Sequence, residues 1–395
     1  MEFLGYRYYK LYRLSLLSLS LWPYGKSLLK QIHAIFCIFL LISATVTQLL
    51  KLFTMEYDLE LILTILSFAI PSAIYLVKYI AFYTQSQKIR ELMEQVQNDW
   101  NALKDEQEVE IIRKYTQSGR KHLYAFAGLV YPGTIGFLLT PFLPDILDVI
   151  APLNESRTRH LPYLAEYFLD QQKYFYPLLL HANITLIIGI VTVISTETLF
   201  FAYVYHICGM FEIAGYRIEH ALDESMSILS TLNKENAIRT KIINAIEIHQ
   251  RAIEFFECVS STFALSYFIL IILGVASLSV NLFRLFQVAV AISDEKESFI
   301  SFMIFVVGHF YYMFICNYMG QKIIDNSTGI CRKTYDTQWY TAPVQIQKLL
   351  LFMMKKSINS CKFVMGGIYS VSLENFTTLA SMSLSYFTVI YSVQQ

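Results

Sequence analysis

Five hydroxyl side chains near the C-terminus, Thr378, Ser381, Ser385, Thr388 and Ser392, recur at steps of 3, 4, 3 and 4. In a helix that spacing lines them along one face. Val389 and Val393 flank the stripe one turn apart. A hydroxyl lining interrupted by aliphatic side chains suits a narrow aqueous pore with a hydrophobic gate. A pore along one helix requires several copies around an axis. The same stripe also suits close helix packing, because small hydroxyl residues let backbones approach in a membrane. Spacing alone leaves both readings open.

A second group of residues could line a pocket. Phe68, Ser72 and Tyr75, then Tyr131, Thr134 and Phe137, then His181 and Thr185, and last Phe302, Phe305, Val306, His309 and Phe310 fall in four apolar segments. Aromatic and aliphatic walls with few polar groups suit a small volatile or lipid-like molecule. Each of these residues equally suits ordinary packing, and His309 reads as a hydrogen-bonded helix contact rather than a metal ligand. Glu197 sits inside an apolar run, where an unpaired carboxylate costs at least a few kcal/mol. It serves either a conduction or proton path or an interhelical hydrogen bond. Lys78, near the end of its run, is expected to snorkel to the inner interface.

Other chemistry has little footing. There is no G-x-G-x-x-G, P-loop, G-x-S-x-G or H-E-x-x-H motif, and the eight histidines are scattered. No enzyme, cofactor or metal site is expected. Asn154-Glu155-Ser156 is a glycosylation acceptor in a loop expected to face outward.

The elements that must position these residues are membrane helices. The 395 residues are 55% hydrophobic and 16% charged, against about 25% charged in an ordinary globular chain. Mean hydropathy is +0.44, and 31 Lys and Arg balance 31 Asp and Glu, which gives no electrostatic case for nucleic acid. About 20 apolar residues cross the hydrocarbon core. Runs of that length lie at about 31–50, 61–83, 122–144, 174–206, 258–290, 298–321 and 375–395. The expected fold is therefore all-α and polytopic, with seven transmembrane helices. The first run follows about 30 residues carrying Tyr, Arg and Lys with no small-residue cleavage site, so no cleaved signal peptide is expected.

Lys and Arg set the orientation. Segments 1–30, 84–121, 207–257 and 321–373 hold 24 of them and the opposite loops only 4, which predicts a cytosolic N-terminus and an extracellular C-terminus. A G-protein-coupled receptor has the opposite orientation, and the Asp-Arg-Tyr and Asn-Pro-x-x-Tyr motifs are also missing. The outer loops carry 11 acids, either a vestibule that concentrates cations or ordinary solvated charge. All six cysteines fall in spans or toward the cytosolic side, without disulfide or zinc spacing.

The long inner segments carry helical apolar stripes: Ile89, Leu92, Val96, Trp100 and Leu103; Ile218, Leu222, Met226 and Leu229; Ile238, Ile242, Ile246 and Ile253; and Ile346, Leu349, Leu350 and Met353. They suit helices that extend the spans into the cytosol and pack as an anchor, or helices lying on the membrane surface. No repeat or inverted symmetry of the kind many transporters carry is visible. The chain divides by expected role into 1–330, with six spans, pocket and extensions, and 331–395, with an anchor helix and a pore-lining seventh span.

The stretch Tyr335-Asp-Thr-Gln-Trp339-Tyr340, through Lys348-Leu-Leu-Leu and Met353-Met-Lys-Lys, to Gly366-Gly367 and Ser385-Tyr386-Phe387-Thr388 resembles the insect odorant receptor signature. The terminal pattern of the related gustatory receptors is absent. The inner loop 207–257 lacks the long insertion of the odorant receptor co-receptor, so the chain looks like a ligand-tuning subunit. The resemblance implies a ligand-gated, non-selective cation channel of four subunits, assembled with the co-receptor in the plasma membrane of olfactory neurons. It would pass monovalent and divalent cations and bind a small hydrophobic odorant. It also implies that the seventh span lines the pore, with the gate at Val389 and Val393 and Ser392 at the polar position between them. The pocket would lie in the outer halves of spans two, three, four and six. The runner-up is a metabotropic seven-helix receptor or a gustatory-type receptor channel, and a transporter would need midplane ion sites for which Glu197 is the one candidate.

Overall fold

The computed structural model describes residues 13–25, 27–150, 157, 159–223, 231–290 and 296–394. Helices α1 (Leu28–Thr54), α2 (Leu59–Thr84), α3 (Ser86–Ala102), α4 (Glu106–Leu139), α5 (Leu143–Ile150), α6 (Phe175–Asp223), α7 (Thr231–Val290), α8 (Lys296–Asp336), α9 (Val344–Ile358) and α10 (Leu373–Gln394) make up the fold. A hairpin of β1 (Val364–Met365) and β2 (Tyr369–Ser370) separates α9 from α10. Helices dominate because lipid supplies no partner for a free backbone group. Among the described residues, six helices are long and apolar enough to cross a membrane: α1, α2, α4 with α5, α6, α7 and α8. The expected seventh span is the 22-residue α10, whose run of Ser, Thr and Tyr leaves it less apolar than the other six.

Local chemistry sets several boundaries. Asp58 caps α2 by accepting from the Glu60 N–H at 3.0 Å, and Asp105 caps α4 through Gln107 at 3.1 Å. Pro71 and Pro132 stand inside α2 and α4, tolerated where neighbouring groups re-satisfy the freed carbonyl. The hairpin turn needs glycine at Gly366 and Gly367, with φ of +60° and +70°. At Gly366 a side chain would also strike the Phe268 ring.

α6 is the central column, in contact with α1, α2, α4, α7 and α8. From Leu199 to Ala214 almost every residue is buried, as expected of a helix apolar on all sides. The α6–α8 helices run far past any membrane thickness, and their extensions gather with α3 and α9 at one end of the bundle, here called the inner end. There Ile89, Leu92, Val96 and Trp100 from α3, Ile218 and Leu222 from α6, Ile238 and Ile242 from α7 and Ile346, Leu350 and Met353 from α9 are buried in one core. Ile246, Ile253, Leu103 and Leu349 pack partly buried against it. The stripes therefore pack against each other rather than lie on a surface. Met226 and Leu229 lie outside the described residues.

Ion pairs tie this core together. Asp99 is buried between His206, whose Nε2 is 2.9 Å away, and Arg251. Arg217 forks onto Glu108 at 2.5 and 2.8 Å, and Lys333 reaches Glu212 at 2.5 Å. α8 continues unbroken through residue 330 to Asp336.

His249 on α7 is buried against the Phe211 ring, with Ser357 Oγ 3.4 Å from its Nε2. Burial, and then the charge of Lys356, push its pKa down to about 4 from 6.5. Because the folded state holds this imidazole neutral, its contribution is complete above pH 6.5 and fades as pH falls towards 4. The melting temperature of the purified chain should drop over that interval, with a shallower drop in His249→Phe.

Candidate functional site

Between α2, α4, α6, α7 and α8 lies a cavity of about 830 Å³, within the range of small-molecule sites. Its outer part is an aromatic cage. The Phe68 ring lies 5.8 Å from Phe137, 6.2 Å from Tyr163 and 5.5 Å, edge-on, from Phe305. Such geometry favours flat or extended apolar molecules. Tyr163 comes from the 159–174 loop, which is tied down by Glu166. The Glu166 N–H donates to the Thr47 carbonyl at 2.9 Å, and its carboxylate takes Lys51 and Thr54 at 3.1 Å. The Phe168 N–H and then Lys51 hold that carboxyl below the usual range.

Most polar groups on the cavity wall are already engaged. Gln48 and Ser72 bond each other at 3.1–3.2 Å. Thr134 and Thr185 turn back onto their own helices. His309 is held by the Phe305 carbonyl at 2.7 Å and Ser277 at 2.8 Å, the helix-contact role expected of it. The wall is thus chemically apolar even where its residues are not.

Of the pocket residues expected from sequence, Phe68, Ser72, Tyr75, Thr134, Phe137, Thr185, Phe305 and His309 line this cavity. Tyr131, His181, Phe302 and Val306 lie off its wall, for a geometric reason. Phe302 and Val306 are one turn apart on the adjoining face of α8, turned towards α7 and α10. Phe302 lies under the Arg284 guanidinium, 5.4 Å away, and Val306 packs with Val275, Leu278 and Leu379. Phe310 joins that same cluster. Tyr131 is exposed on α4. His181 bridges Ser43 and Tyr167 at 2.9 and 3.0 Å.

The inner floor holds what sequence reading missed. Lys78 does not snorkel: it is 3% exposed and ion-paired with Glu197, itself fully buried. Tyr267 donates to Glu197 at 3.0 Å and Tyr312 at 2.7 Å. The Lys78 ammonium also lies 5.1 and 5.6 Å from those two ring centres. Glu197 therefore makes interhelical bonds, the second of its two readings. A lone Lys and a lone Glu 119 residues apart, each in an otherwise apolar run, were the available signal.

The cavity also touches α10. Leu379 of α10 and Asn317 of α8 are on its wall. The Asn317 Oδ1 accepts from the Tyr369 hydroxyl at 2.7 Å and from the Ser372 N–H at 3.2 Å, fixing the hairpin and the start of α10. Gly320 lets the chain at Val371 approach α8 where a Cβ would collide. α10 packs through Phe376, Leu379, Phe387 and Ile390. Thr378, Ser381, Ser385, Thr388, Val389 and Ser392 are exposed on its other side. The Val393 side chain and Asn154 lie outside the described residues.

The outer acids are largely occupied. Glu60 pairs with Arg284 at 2.9 Å, Asp145 with Arg159 at 2.9 Å, Asp148 with Arg157 at 2.6 Å and Glu166 with Lys51 at 3.1 Å. Asp294 and Glu295 lie outside the described residues. Among those described, no group of three or more His, Cys, Asp or Glu could hold a metal ion, and the six cysteines are unbonded.

The family model described as 7tm Odorant receptor matches residues 58–384. Odorant receptor 9a of Drosophila melanogaster is 21% identical over 256 residues, 64% of this chain and 61% of its own length. Odorant receptor 13a of the same species is 21% identical over 265 residues, 64% of this chain and 62% of its own length. The matched region thus spans less than two thirds of these relatives. The olfactory receptor OR5 from Machilis hrabei, in complex with eugenol, superposes with a TM-score of 0.78 at 16% identity over 98% of each chain. That likeness establishes a shared fold.

Breaking the floor pair from one side leaves a buried charge. Lys78→Met should destabilise the chain by about 3–5 kcal/mol, whereas Lys78→Met with Glu197→Gln should restore most of the loss. Melting temperatures of the two variants in detergent check this.

Proposed function

Because the chain belongs to the 7tm odorant receptor family, we propose that it is the ligand-tuning subunit of an odorant-gated, non-selective cation channel. In this reading it assembles with co-receptor subunits as a tetramer in the plasma membrane of olfactory sensory neurons. Its N-terminus is cytosolic, and α10 is the seventh span and the pore wall.

The observation that carries this is the placement of α10. One face is packed against α7 and α8, while the face bearing Thr378, Ser381, Ser385, Thr388 and Ser392 has no covering among the described residues. Hydroxyls set towards a shared axis would hydrate a pore, and Val389 would stand in it as an apolar constriction that closes by dewetting. At the inner end Val344, Leu351 and Phe352 of α9 are exposed. An apolar patch there supports subunit contact through the anchor formed by residues 331–358.

The same cavity then serves as the odorant site, an aromatic and aliphatic space suited to small hydrophobic molecules. Its coupling to the pore is short. A ligand that fills the cavity presses on Leu379, and Asn317 joins the cavity wall to the first turn of α10. Occupancy opens the channel only to the extent that the ligand prefers the open arrangement. A metabotropic receptor would not require the exposed hydroxyl stripe.

The test is whole-cell recording from cells that express this chain with an insect co-receptor, under volatile alcohols, esters and ketones. A fast cation current that persists with G-protein signalling blocked is expected. Val389→Ala should raise resting current or alter ion permeability. Currents abolished by the G-protein block, or a C-terminal tag found in the cytosol, would overturn the channel reading.

A further inference from the structure

We propose that the Lys78 ammonium is the head-group anchor of the cavity. It selects neutral ligands that carry a hydrogen-bond-accepting oxygen, such as ketones, aldehydes and esters, over alkanes and over carboxylates. This rests on the cavity being the ligand site of the proposed receptor, and deepens that reading by naming the ligand class.

Few donors and acceptors on this largely apolar wall remain unpaired. The Glu197 carboxylate already receives three donors: Lys78, the Tyr267 hydroxyl and the Tyr312 hydroxyl. Both hydroxyls are thereby committed. Lys78 gives one N–H to Glu197, and its ammonium otherwise lies over the Tyr267 and Tyr312 rings, which accept only weakly. An ammonium has three N–H bonds to donate. It is 3% exposed and lines the cavity. It is thus a strong, under-used donor in a place where water-like competition is small.

A second donor stands nearby. Tyr75 precedes Lys78 by three residues, one turn away on the same face of α2, and also lines the cavity. Its hydroxyl takes no hydrogen-bond partner among the described residues, unlike Gln48, Ser72, Thr134, Thr185 and His309 on the same wall. Gly189 on α6 makes room for the ring, since a Cβ there would collide with it. Both donors thus belong to the wall of one cavity.

Charge decides which acceptor. Lys78 and Glu197 together are neutral. A carboxylate ligand would place a second anion beside Glu197 in a low-dielectric pocket, a large desolvation cost with one cation to share. An ammonium ligand would find the Glu197 oxygens taken. A neutral carbonyl oxygen gains a charge-assisted hydrogen bond and adds no charge. Its hydrocarbon remainder then reaches outward towards Phe68, Phe137 and Phe305.

The experiment measures saturable thermal stabilisation of the purified full-length chain by three seven-carbon probes: heptane, 2-heptanone and heptanoate. The expected order is ketone above alkane by about tenfold in apparent affinity, from one hydrogen bond to a charged group, with heptanoate weakest. Lys78→Met with Glu197→Gln, which keeps the floor neutral, should lower the ketone-to-alkane ratio to the roughly threefold that Tyr75 alone supplies, with heptane affinity unchanged. Tyr75→Phe, which keeps the ring, should lower the ratio about threefold, and decides the matter if the double variant does not fold. Equal affinity for heptane and 2-heptanone in the wild type, tightest binding by heptanoate, or an unchanged ratio in the folded variants would overturn the proposal. If all three probes fail to bind, the ligand site and the anchor fall together. Selective ketone binding without any current would instead leave the anchor standing and overturn the channel.

Discussion

A carboxylate in the middle of a membrane protein must find its partners before the bundle can close. Glu197 on α6 finds Lys78 on α2, Tyr267 on α7 and Tyr312 on α8, so one buried cluster registers four helices against each other. An ion pair of this kind adds little net stability, since desolvation cancels much of the Coulomb gain. Its effect is on specificity of arrangement. Apolar helices can slide past one another at small cost, but a helix that slides here leaves a bare charge in hydrocarbon.

That cluster also forms the floor of the cavity. Above it the walls are apolar, because their polar groups turn back onto their own helices or onto each other. Below it the helices close into the fully packed segment of α6 between Leu199 and Ala214. The floor therefore separates the large cavity from a more densely packed region. The chain is a multi-pass membrane protein of the odorant receptor family, and its cavity, hairpin and last helix are joined by a short path through Asn317 and Leu379.

At the inner end the physics changes from packing to paired charge. Asp99, Glu108 and Glu212 each engage a cation from a distant helix, and the apolar stripes of α3, α6, α7 and α9 bury one another. This end is packed on all sides, whereas α10 is attached along one face.

Much of this was legible from residue order. Long apolar runs can do little else in lipid than form helices, so the all-α architecture and the approximate place of the long helices followed from hydropathy, and the stripes at Ile89–Trp100 and Ile346–Met353 announced buried faces through their 3.6-residue period. The hydroxyl face of α10 was equally plain, because a polar stripe stands out on an apolar helix. What sequence could not give was rotation. On α8 every face is apolar, so nothing in the order of residues says that Phe305 and His309 look into the cavity while Phe302 and Val306 look towards α7 and α10. The fate of Lys78 was hidden for the same reason: whether a lysine reaches the interface or stays inside depends on a carboxylate 119 residues away, and only the three-dimensional packing of α2 on α6 brings the two charges together.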